Sequence, residues 1–524
     1  MHYLPRTIHK IPCSTMLARD RLGVAAVVFF VMSAAAPLTA IAGVVPTGLA
    51  VTGLTGVPLA YLVVAAVLVM FSIGYVAMAR HITNAGAFYA YIARGIGRPA
   101  GVGASWVALL VYNLFQCASY GGFGAIARPL VTQWTGIEFA WWELAAVAWY
   151  VVAVLGVLDV SANSRVLAAL LVAEIALVLV FSVSEITGSN FHPSAASIEP
   201  RSLAGDGSGA LLVMAITGFV GFEQTAVFGE EARDQRRTVA RATFAALALI
   251  AGVYAFASWT MISAAGTEVI SRARNEGPEL FFNIASGRFG TATLGLGHLL
   301  FLTSLIAAMI SFHNVVARYA FSLGREGVMP RAFERTATHT RAPIIGSLAQ
   351  SGVGLIAIVV FALAGWDPLV QLFYWGAAAG GIGAMFLITA TSIAVIGYFA
   401  RHRHDEGSWH RIGAPTISSA ILVVVCWLAL NNIATLFGVD QGSAITWIIP
   451  TALAIVALAG ATWALALRAY RPRVYGAIGL GANAPIRSDE LRPPAVSSPA
   501  VDTPVRGCRS SHSDLITRSY CAYQ

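Results

Sequence analysis

Charged residues are scarce in this sequence, and lysine is almost absent. Asp, Glu, Lys and Arg together make up 11% of the 524 residues, and Lys10 is the single lysine, whereas soluble domains carry roughly 25% charged residues. Hydrophobic residues account for 57%, which is more apolar surface than a water-soluble core can bury. The composition therefore argues against a soluble protein and predicts one embedded in a lipid bilayer.

Sequence motifs for metal binding, disulfide formation and catalysis are also missing. The cysteines lack a CxxC pair and a ligand-like spacing to histidine, so we expect no metal site and no disulfide framework; they are Cys13, Cys117, Cys426, Cys508 and Cys521. No HExxH, GxSxG or P-loop motif is present, so we expect no enzyme and no cofactor. The net charge of +8 is distributed between apolar runs, which disfavours a nucleic-acid partner. A channel or receptor is a further rival class, but the sequence has no filter-like repeat or ligand domain.

Long apolar segments recur along most of the chain. Helices of ~20 residues are needed to cross a ~30 Å hydrocarbon layer, and 524 residues provide for about a dozen. Residues 59–77 and 420–430 are apolar on nearly every face, unlike barrel strands, which alternate. We predict an all-α integral membrane protein with twelve spans, numbered here in chain order: 22–45, 55–79, 100–126, 142–160, 164–184, 207–228, 240–264, 292–320, 343–364, 369–398, 416–437 and 445–469.

The distribution of basic residues predicts the orientation of the spans. With residues 1–21 inside, the inside loops hold far more lysine and arginine than the outside loops, which is typical of a cytoplasmic side. The outside loops contain Arg128, Arg201, Arg272, Arg274 and Arg288. We therefore expect a multi-pass protein of the plasma membrane with both termini in the cytoplasm. From residue 470 to 524 the chain is rich in Pro, Ser, Arg and Gly, which predicts a disordered cytoplasmic tail.

Spans 1 and 6, five helices apart, both contain helix-breaking residues. Span 1 includes Pro37, which removes an amide donor, and span 6 includes Gly218 and Gly221 beside the carboxylate of Glu223. Broken helices at matching positions of two halves indicate a transporter whose substrate binds near the membrane midplane. Their free N–H and C=O groups suit the carboxylate and ammonium of an amino acid. Each break alone would be a kink or a packing notch, and we expect the run 376–381 in span 10 to serve close helix packing.

Three stretches carry a resemblance to a known family. They are Gly86 to Ile92 after span 2, Phe219 to Glu223 with the acidic and then basic residues 230–237, and Arg318 to Pro330 at the end of span 8. In this order they resemble the amino acid-polyamine-organocation permeases over roughly residues 20–470. The resemblance implies a five-plus-five inverted-repeat core, similar to the leucine/sodium symporter, over residues 22–398. It places two additional helices, within residues 416–469, outside that core.

The resemblance also implies a function and a set of binding residues. The function would be secondary active transport of an amino acid or related amine by alternating access, with exchange or polyamine transport as the alternative. Carried over position by position, the substrate-binding residues are Ala34, Ala35, Ala36, Pro37, Leu38 and Thr39 in span 1, and Thr217, Gly218, Phe219, Val220, Gly221 and Phe222 in span 6. Span 1 departs from the Gly-Ser-Gly-like break of many relatives. Thr217 stands where several relatives have an aromatic gate, which leaves Phe219 or Phe222 as the lid.

Ionisable groups within spans are costly and call for a reason. Glu174 lies near the middle of span 5, where proton-coupled relatives carry a lysine, and Glu223 lies in the inner part of span 6. Either carboxyl is a candidate for carrying a proton during transport. The alternatives are a hydrogen bond from Glu223 to the unwound backbone, a buried partner for Glu174, and sodium as the coupling ion. His298 and His313 in span 8 are expected to be packing residues.

Several further polar residues are candidates for supporting roles. Tyr112 and Cys117 in span 3, with Ser304 and Ser311 in span 8, are expected to line the pocket wall. Four charged residues after span 6 are interpreted mainly as a solvated loop, with an ion-paired gate as the alternative: Glu230, Glu231, Arg233 and Arg236.

Overall fold

The computed structural model describes residue 17 and residues 20–158, 160–188, 191–402 and 406–481, and these residues are almost entirely helical. Within them, eleven helices are long and apolar enough to cross a membrane. Their bounds are Val24–Thr52, Val57–Ala79, Arg98–Thr135, Leu167–Ile186, Ser208–Glu231, Gln235–Ser286, Thr291–Arg325, Ile344–Ala364, Pro368–Arg401, Trp409–Asn431 and Ile445–Tyr470. The predicted all-helical fold class is confirmed.

Span 4 differs from its prediction in length. The predicted segment 142–160 corresponds to the helix Trp141–Leu155, which has 15 residues. At 1.5 Å per residue this helix is roughly 22 Å long, shorter than the ~30 Å hydrocarbon layer. The other eleven predicted spans each overlap one of the eleven long helices, with bounds that differ by several residues or more.

Proline and glycine set the ends of several helices. Span 3 begins at Arg98 with Pro99 in its first turn and ends before Gly136, which has φ 73°. Span 9 ends before Gly365, with φ 65°. Proline tolerates the first turn because it needs no amide donor there, and glycine adopts the left-handed conformation that closes a helix.

Glycines also allow the helices to approach closely. A Cβ on Gly380 of span 10 would lie 2.9 Å from the ring of Phe115 in span 3. A Cβ on Gly460 of span 12 would lie 2.8 Å from the Cα of Gly103, also in span 3. The close packing expected for the run 376–381 is confirmed. Span 12 also packs closely against span 3 through glycine residues.

Burial differs sharply between the spans. In the broken spans 1 and 6, 78% and 89% of the most apolar stretch is buried, against 33% in span 9 and 17% in span 12. Large side chains such as Ile356 and Leu458 are exposed on the outer spans, as expected for surfaces that face lipid. The broken spans therefore lie at the centre of the bundle.

Five segments meet at one end of the bundle, which we call the terminal face. They are residues 20–22, 80–97, 230–237, 318–335 and 471–481. The amide of Leu22, for example, donates to the carbonyl of Glu231 at 3.0 Å. The prediction of a disordered tail from residue 470 is wrong for its first part, because Pro472–Ala477 is helical and the following glycines pack against the bundle. Residues 482–524 lie outside the described part of the chain.

Candidate functional site

The break in span 1 occurs at Ala36. The helix Val24–Ala35 ends there because Ala36 is left-handed, with φ 47° and ψ 74°, and Pro37 begins the next helical segment. Since Pro37 has no N–H, the carbonyl of Ser33 loses its usual helical donor. The hydroxyl of Tyr254 in span 7 donates to the carbonyl of Ala35 at 2.8 Å. The predicted interruption of span 1 by Pro37 is confirmed, and another helix satisfies part of the opened backbone.

The break in span 6 occurs at Val220 and Gly221. The helix Ser208–Phe219 ends, Val220 has ψ 128°, Gly221 has φ 122°, and a 3-10 helix then runs over Phe222–Glu231. A φ of this value is accessible to glycine and strained for other residues. Gly221 is therefore the residue that allows the chain to change direction here.

The two breaks touch each other. A Cβ on Gly221 would lie 2.7 Å from the Cβ of Ala34 and 2.9 Å from the carbonyl oxygen of Val31. No side chain fits in that space without displacing span 1. The sequence-predicted segments 34–39 and 217–222 are thus brought together at the centre of the bundle.

Glu223 caps the break in span 6. Its Oε2 accepts a hydrogen bond from the amide of Gly221 at 2.9 Å, and its Oε1 accepts one from the hydroxyl of Tyr112 at 2.9 Å. The side chain is 2% exposed. The alternative in which Glu223 bonds to the unwound backbone is therefore present in the structure, and Tyr112 of span 3 joins the same cluster.

Glu174 of span 5 lies beside the break in span 1. Its carboxyl is within hydrogen-bonding reach of the Leu38 amide and the Ser304 hydroxyl, and the hydroxyl of Thr39 donates to Ser304 at 3.1 Å. The side chain is 1% exposed. Among the described residues, its Oε2 has no hydrogen-bond partner. Spans 1, 5 and 8 thus form a polar cluster with one unused carboxylate oxygen.

The remaining predicted pocket residues do not all face the breaks. The hydroxyl of Ser311 donates to the carbonyl of Phe30 at 2.8 Å and lies 3.2 Å from Oε1 of Gln224, so it links spans 1 and 6. Thr217 donates back to Val213 at 2.9 Å and lies against Gly381 of span 10. Cys117 is buried within span 3.

The two aromatic residues predicted as lids pack towards span 2. The ring centroid of Phe219 is 6.1 Å from that of Tyr61, and that of Phe222 is 5.9 Å from that of Phe71. Both side chains are buried. In this conformation the rings belong to the wall between spans 2 and 6.

The two histidines of span 8 have ordinary partners. His298 Nε2 lies 2.8 Å from Glu279, and His313 Nε2 lies 2.7 Å from the hydroxyl of Ser347. His313 also approaches the amide of Gln116 at 3.4 Å. The expectation that both histidines serve packing agrees with these contacts.

Two ion pairs join the ends of spans 6 and 8 at the terminal face. Arg318 binds Glu231 through Nε at 2.7 Å, with both side chains 2% exposed, and Arg325 binds Glu230 at 2.7 Å. The interpretation as a solvated loop is therefore wrong for these two glutamates, because spans 6 and 8 bury and pair them. It holds for Arg233 and Arg236, which are exposed.

Tyr254 and Glu326 make hydrogen bonds that were not predicted from the sequence. Tyr254 lies in none of the motifs, and the stretch Arg318 to Pro330, which contains Glu326, does not indicate its partners. Those partners are remote in sequence: Ala35 for Tyr254, and Gly479 and Gly481 for Glu326. Among the described residues, no group of three or more His, Cys, Asp or Glu side chains is placed to hold a metal ion.

Comparison with known proteins identifies the family. A profile described as amino acid permease matches residues 22–459. The chain is 26% identical over 417 residues to the low-affinity putrescine importer PlaP of Escherichia coli K12, covering 74% of this chain and 84% of the relative. It is 24% identical over 350 residues to the branched-chain amino acid permease BcaP of Lactococcus lactis, covering 63% and 73%.

This match covers both broken spans and the terminal face except for residues 20–21 and 471–481. The chain is accordingly a multi-pass membrane transporter and not an enzyme. It belongs to the amino acid permease family, within the amino acid-polyamine-organocation superfamily.

Proposed function

We propose that this protein is a secondary active transporter that carries an amino acid or amine across the plasma membrane by alternating access. The observation that carries the proposal is the contact between the two broken spans at Gly221 and Ala34. Opened backbone at the centre of a bundle offers amides and carbonyls that lipid cannot satisfy. A small polar substrate can complete those bonds, so we place the binding site between residues 34–39 and 217–222, within an inverted-repeat core.

The terminal face is the cytoplasmic side in this proposal. The bias of basic residues supports it, and the ion pairs of Glu230 and Glu231 support a conformation closed on that side. Cysteines introduced at Arg237 and Arg331 should react with an impermeant maleimide only from the cytoplasm. Labelling of intact cells from outside at either position would reverse the assignment.

Protons are the coupling ion that the site favours, with Glu174 as their carrier. Its unused Oε2 is a place where a proton can reside, and its neighbours Leu38 and Ser304 belong to the break in span 1. Loading and release of that proton would then follow the opening of the break to each side. Sodium coupling, the alternative, would use carbonyl and hydroxyl oxygens, which are too common in the bundle to identify a site.

Glu174→Gln tests this role because glutamine keeps a hydrogen-bond acceptor but cannot release a proton. We expect binding and substrate exchange to persist, while accumulation driven by a proton gradient is lost and the pH profile becomes flat. Proteoliposomes with an imposed pH gradient provide the measurement. Accumulation at the wild-type level would refute proton coupling through Glu174, whereas reduced expression with coupling intact would indicate a structural carboxyl.

A cationic amine is a second candidate substrate, favoured by how the breaks are occupied. The amide of Gly221, which would suit a substrate carboxylate, already binds Glu223. The Leu38 amide lies beside a second carboxyl, that of Glu174. Such a site has more free acceptors than donors, which suits an ammonium group. Of the two relatives described above, one is named as a putrescine importer and the other as a branched-chain amino acid permease.

Matched substrate pairs decide between the two classes. Putrescine differs from ornithine, and cadaverine from lysine, only by a carboxylate. Uptake of each labelled compound into proteoliposomes, with competition by its partner, should show the amine binding more tightly if the chain's own carboxylates fill the breaks. Preference for the amino acids would favour the first candidate. If neither class is transported under proton or sodium gradients, the proposed function fails.

A further inference from the structure

The chain turns back onto the terminal face after span 12. Span 12 ends at Tyr470, the helix Pro472–Ala477 follows, and the amides of Gly479 and Gly481 then point at one carboxylate. Gly479 donates to Glu326 Oε2 and Gly481 donates to Oε1, both at 2.7 Å. Residues 471–481, which we call the return segment, thus bind both carboxylate oxygens of Glu326, the residue that follows span 8.

Glu326 depends on the return segment for half of its hydrogen bonds. It is 2% exposed and also accepts bonds from Asn84 Nδ2, at 2.8 Å, and from the hydroxyl of Tyr89. Burial raises the pKa of Glu326, while the bonds from Tyr89 and the two glycine amides and the charge of Arg325 oppose that rise. Removing the two amides would leave a buried carboxylate with only two donors, which is costly.

The return segment fits its binding surface closely. Gly481 has φ 57°, and a Cβ there would lie 2.5 Å from the carbonyl oxygen of Thr83. The methyl groups of Val474 lie 3.3 Å from the Cβ position of Gly327. Arg98 donates to the carbonyl of Gly476 at 3.2 Å and stacks over the ring of Tyr475 at 5.1 Å. Glycine is needed at residue 481, because its φ and the approach to Thr83 both exclude a side chain.

The surface bound by the return segment also holds the end of span 6. Arg325, next to Glu326, pairs with Glu230, and the amide of Ala85 donates to the same glutamate at 3.0 Å. The hydroxyl of Ser322 donates to Asn84, which in turn binds Glu326. The return segment therefore packs against the end of span 8 and against residues 83–89, and these two elements in turn bind the end of span 6.

We propose that residues 471–481 form an intramolecular latch that holds the terminal face closed and must release before substrate can leave through it. This inference rests on the proposed alternating-access function, because span 6 must move relative to span 8 for that face to open. The latch works by stabilising the closed state: each bond between the return segment and Glu326 exists only while residues 83–89 and span 8 keep their present positions. Its occupant is the chain itself, so the latch needs no second protein.

A disulfide between residues 327 and 474 tests whether release is required. The Cβ position of Gly327 lies 3.9 Å from the Cβ of Val474, close to the roughly 3.8 Å of protein disulfides. We would combine Gly327→Cys and Val474→Cys in full-length protein without its native cysteines. Oxidation should stop counterflow of substrate, and reduction should restore it. Each single cysteine variant controls for strain at Gly327, whose φ is 79°, and should respond to neither treatment.

Glycine variants test the latch in the opposite direction. Gly479→Ala with Gly481→Ala should loosen the return segment, since both residues have positive φ. Gly476→Ala is the matched control, because its Cβ would meet nothing within 4 Å. The readout is the reaction of Ser33→Cys, at the break in span 1, with an impermeant maleimide applied to the terminal face. Loss of one bond to a charged group should raise this rate about tenfold in the double variant and leave the control unchanged.

Two results would overturn the latch. One is wild-type counterflow in protein whose 327–474 disulfide is shown by mass spectrometry to be complete. The other is an unchanged maleimide rate in a glycine variant that elutes as a single folded species. The maleimide rate needs no substrate, so it still reports on the latch if no amino acid or amine proves to be transported, which separates failure of the latch from failure of the proposed function.

Discussion

The two breaks at the centre of the bundle are built in different ways. In span 6 the break is local: Gly221 supplies the backbone conformation, and Glu223, two residues later, binds the freed amide. In span 1 the break depends on distant helices, because Tyr254 of span 7 binds the carbonyl of Ala35 and Glu174 of span 5 lies beside the amide of Leu38. The break in span 1 is therefore held by other spans, whereas the freed amide of span 6 is capped from within its own segment and Tyr112 of span 3 adds a hydrogen bond to the capping carboxylate.

This difference has a consequence for transport. A break held by other spans changes its free backbone groups when those spans move, so its affinity for a ligand can differ between the two sides of the membrane. A self-capped break keeps its geometry and moves as a unit. In the proposed transport cycle, the break in span 1 would change its free backbone groups, whereas the break in span 6 would move as a unit.

The largest effect on substrate binding should come from Gly221→Leu, because Gly221 lies where the two breaks are in contact. A side chain there would collide with Ala34 and Val31, and the φ of 122° is unfavourable for leucine. We expect substrate binding to be abolished, as measured by scintillation proximity on purified protein that elutes as a single species. Gly252→Leu in span 7 is the control, because a Cβ at Gly252 meets nothing within 4 Å. Wild-type affinity in folded Gly221→Leu would exclude this place as the site.

The positions of the two helix breaks could be predicted from the sequence, but the residues that bind their free backbone groups could not. Pro37 and Gly221 predict a helix break because of their own backbone properties, which do not depend on the rest of the fold. Tyr254 reaches Ala35 across 219 positions, and nothing in either residue identifies the other. The positions of hydrophobic helices could likewise be predicted from composition, because lipid imposes the same requirement on every span.

At the terminal face, by contrast, the structure could not be predicted from the local sequence. Residues 470–481 have the proline, glycine and arginine content of a disordered tail, and by composition alone they bury too little apolar surface to fold. They are ordered because Glu326 offers a charged acceptor to two glycine amides. The same holds for Glu230 and Glu231, which resemble a solvated pair until span 8 brings Arg325 and Arg318 to them.

An intermediate effect is expected from Tyr254→Phe, which removes the distant support of the break in span 1. The carbonyl of Ala35 would lose its donor inside the bundle, at a cost of about 1 kcal/mol. The free energy of unfolding should fall by that amount, observed as a lower melting temperature in detergent. Tyr150→Phe serves as the control, since Tyr150 is 64% exposed and should leave stability unchanged. An equal change in both variants would mean that the break does not depend on span 7.

The smallest effect, and the sharpest contrast between the breaks, should come from Ala36→Gly. Ala36 occupies the left-handed region with φ 47°, which costs a non-glycine residue roughly 1–2 kcal/mol. Glycine removes that strain but loses more backbone entropy on folding, by roughly 0.5–1 kcal/mol. The balance predicts a slightly higher melting temperature for Ala36→Gly. Ala25→Gly, at an exposed and regular helical position of the same span, lacks the strain and should be destabilising. A lower melting temperature for both variants would mean that the surrounding spans, and not the residue at position 36, set the conformation of the break in span 1.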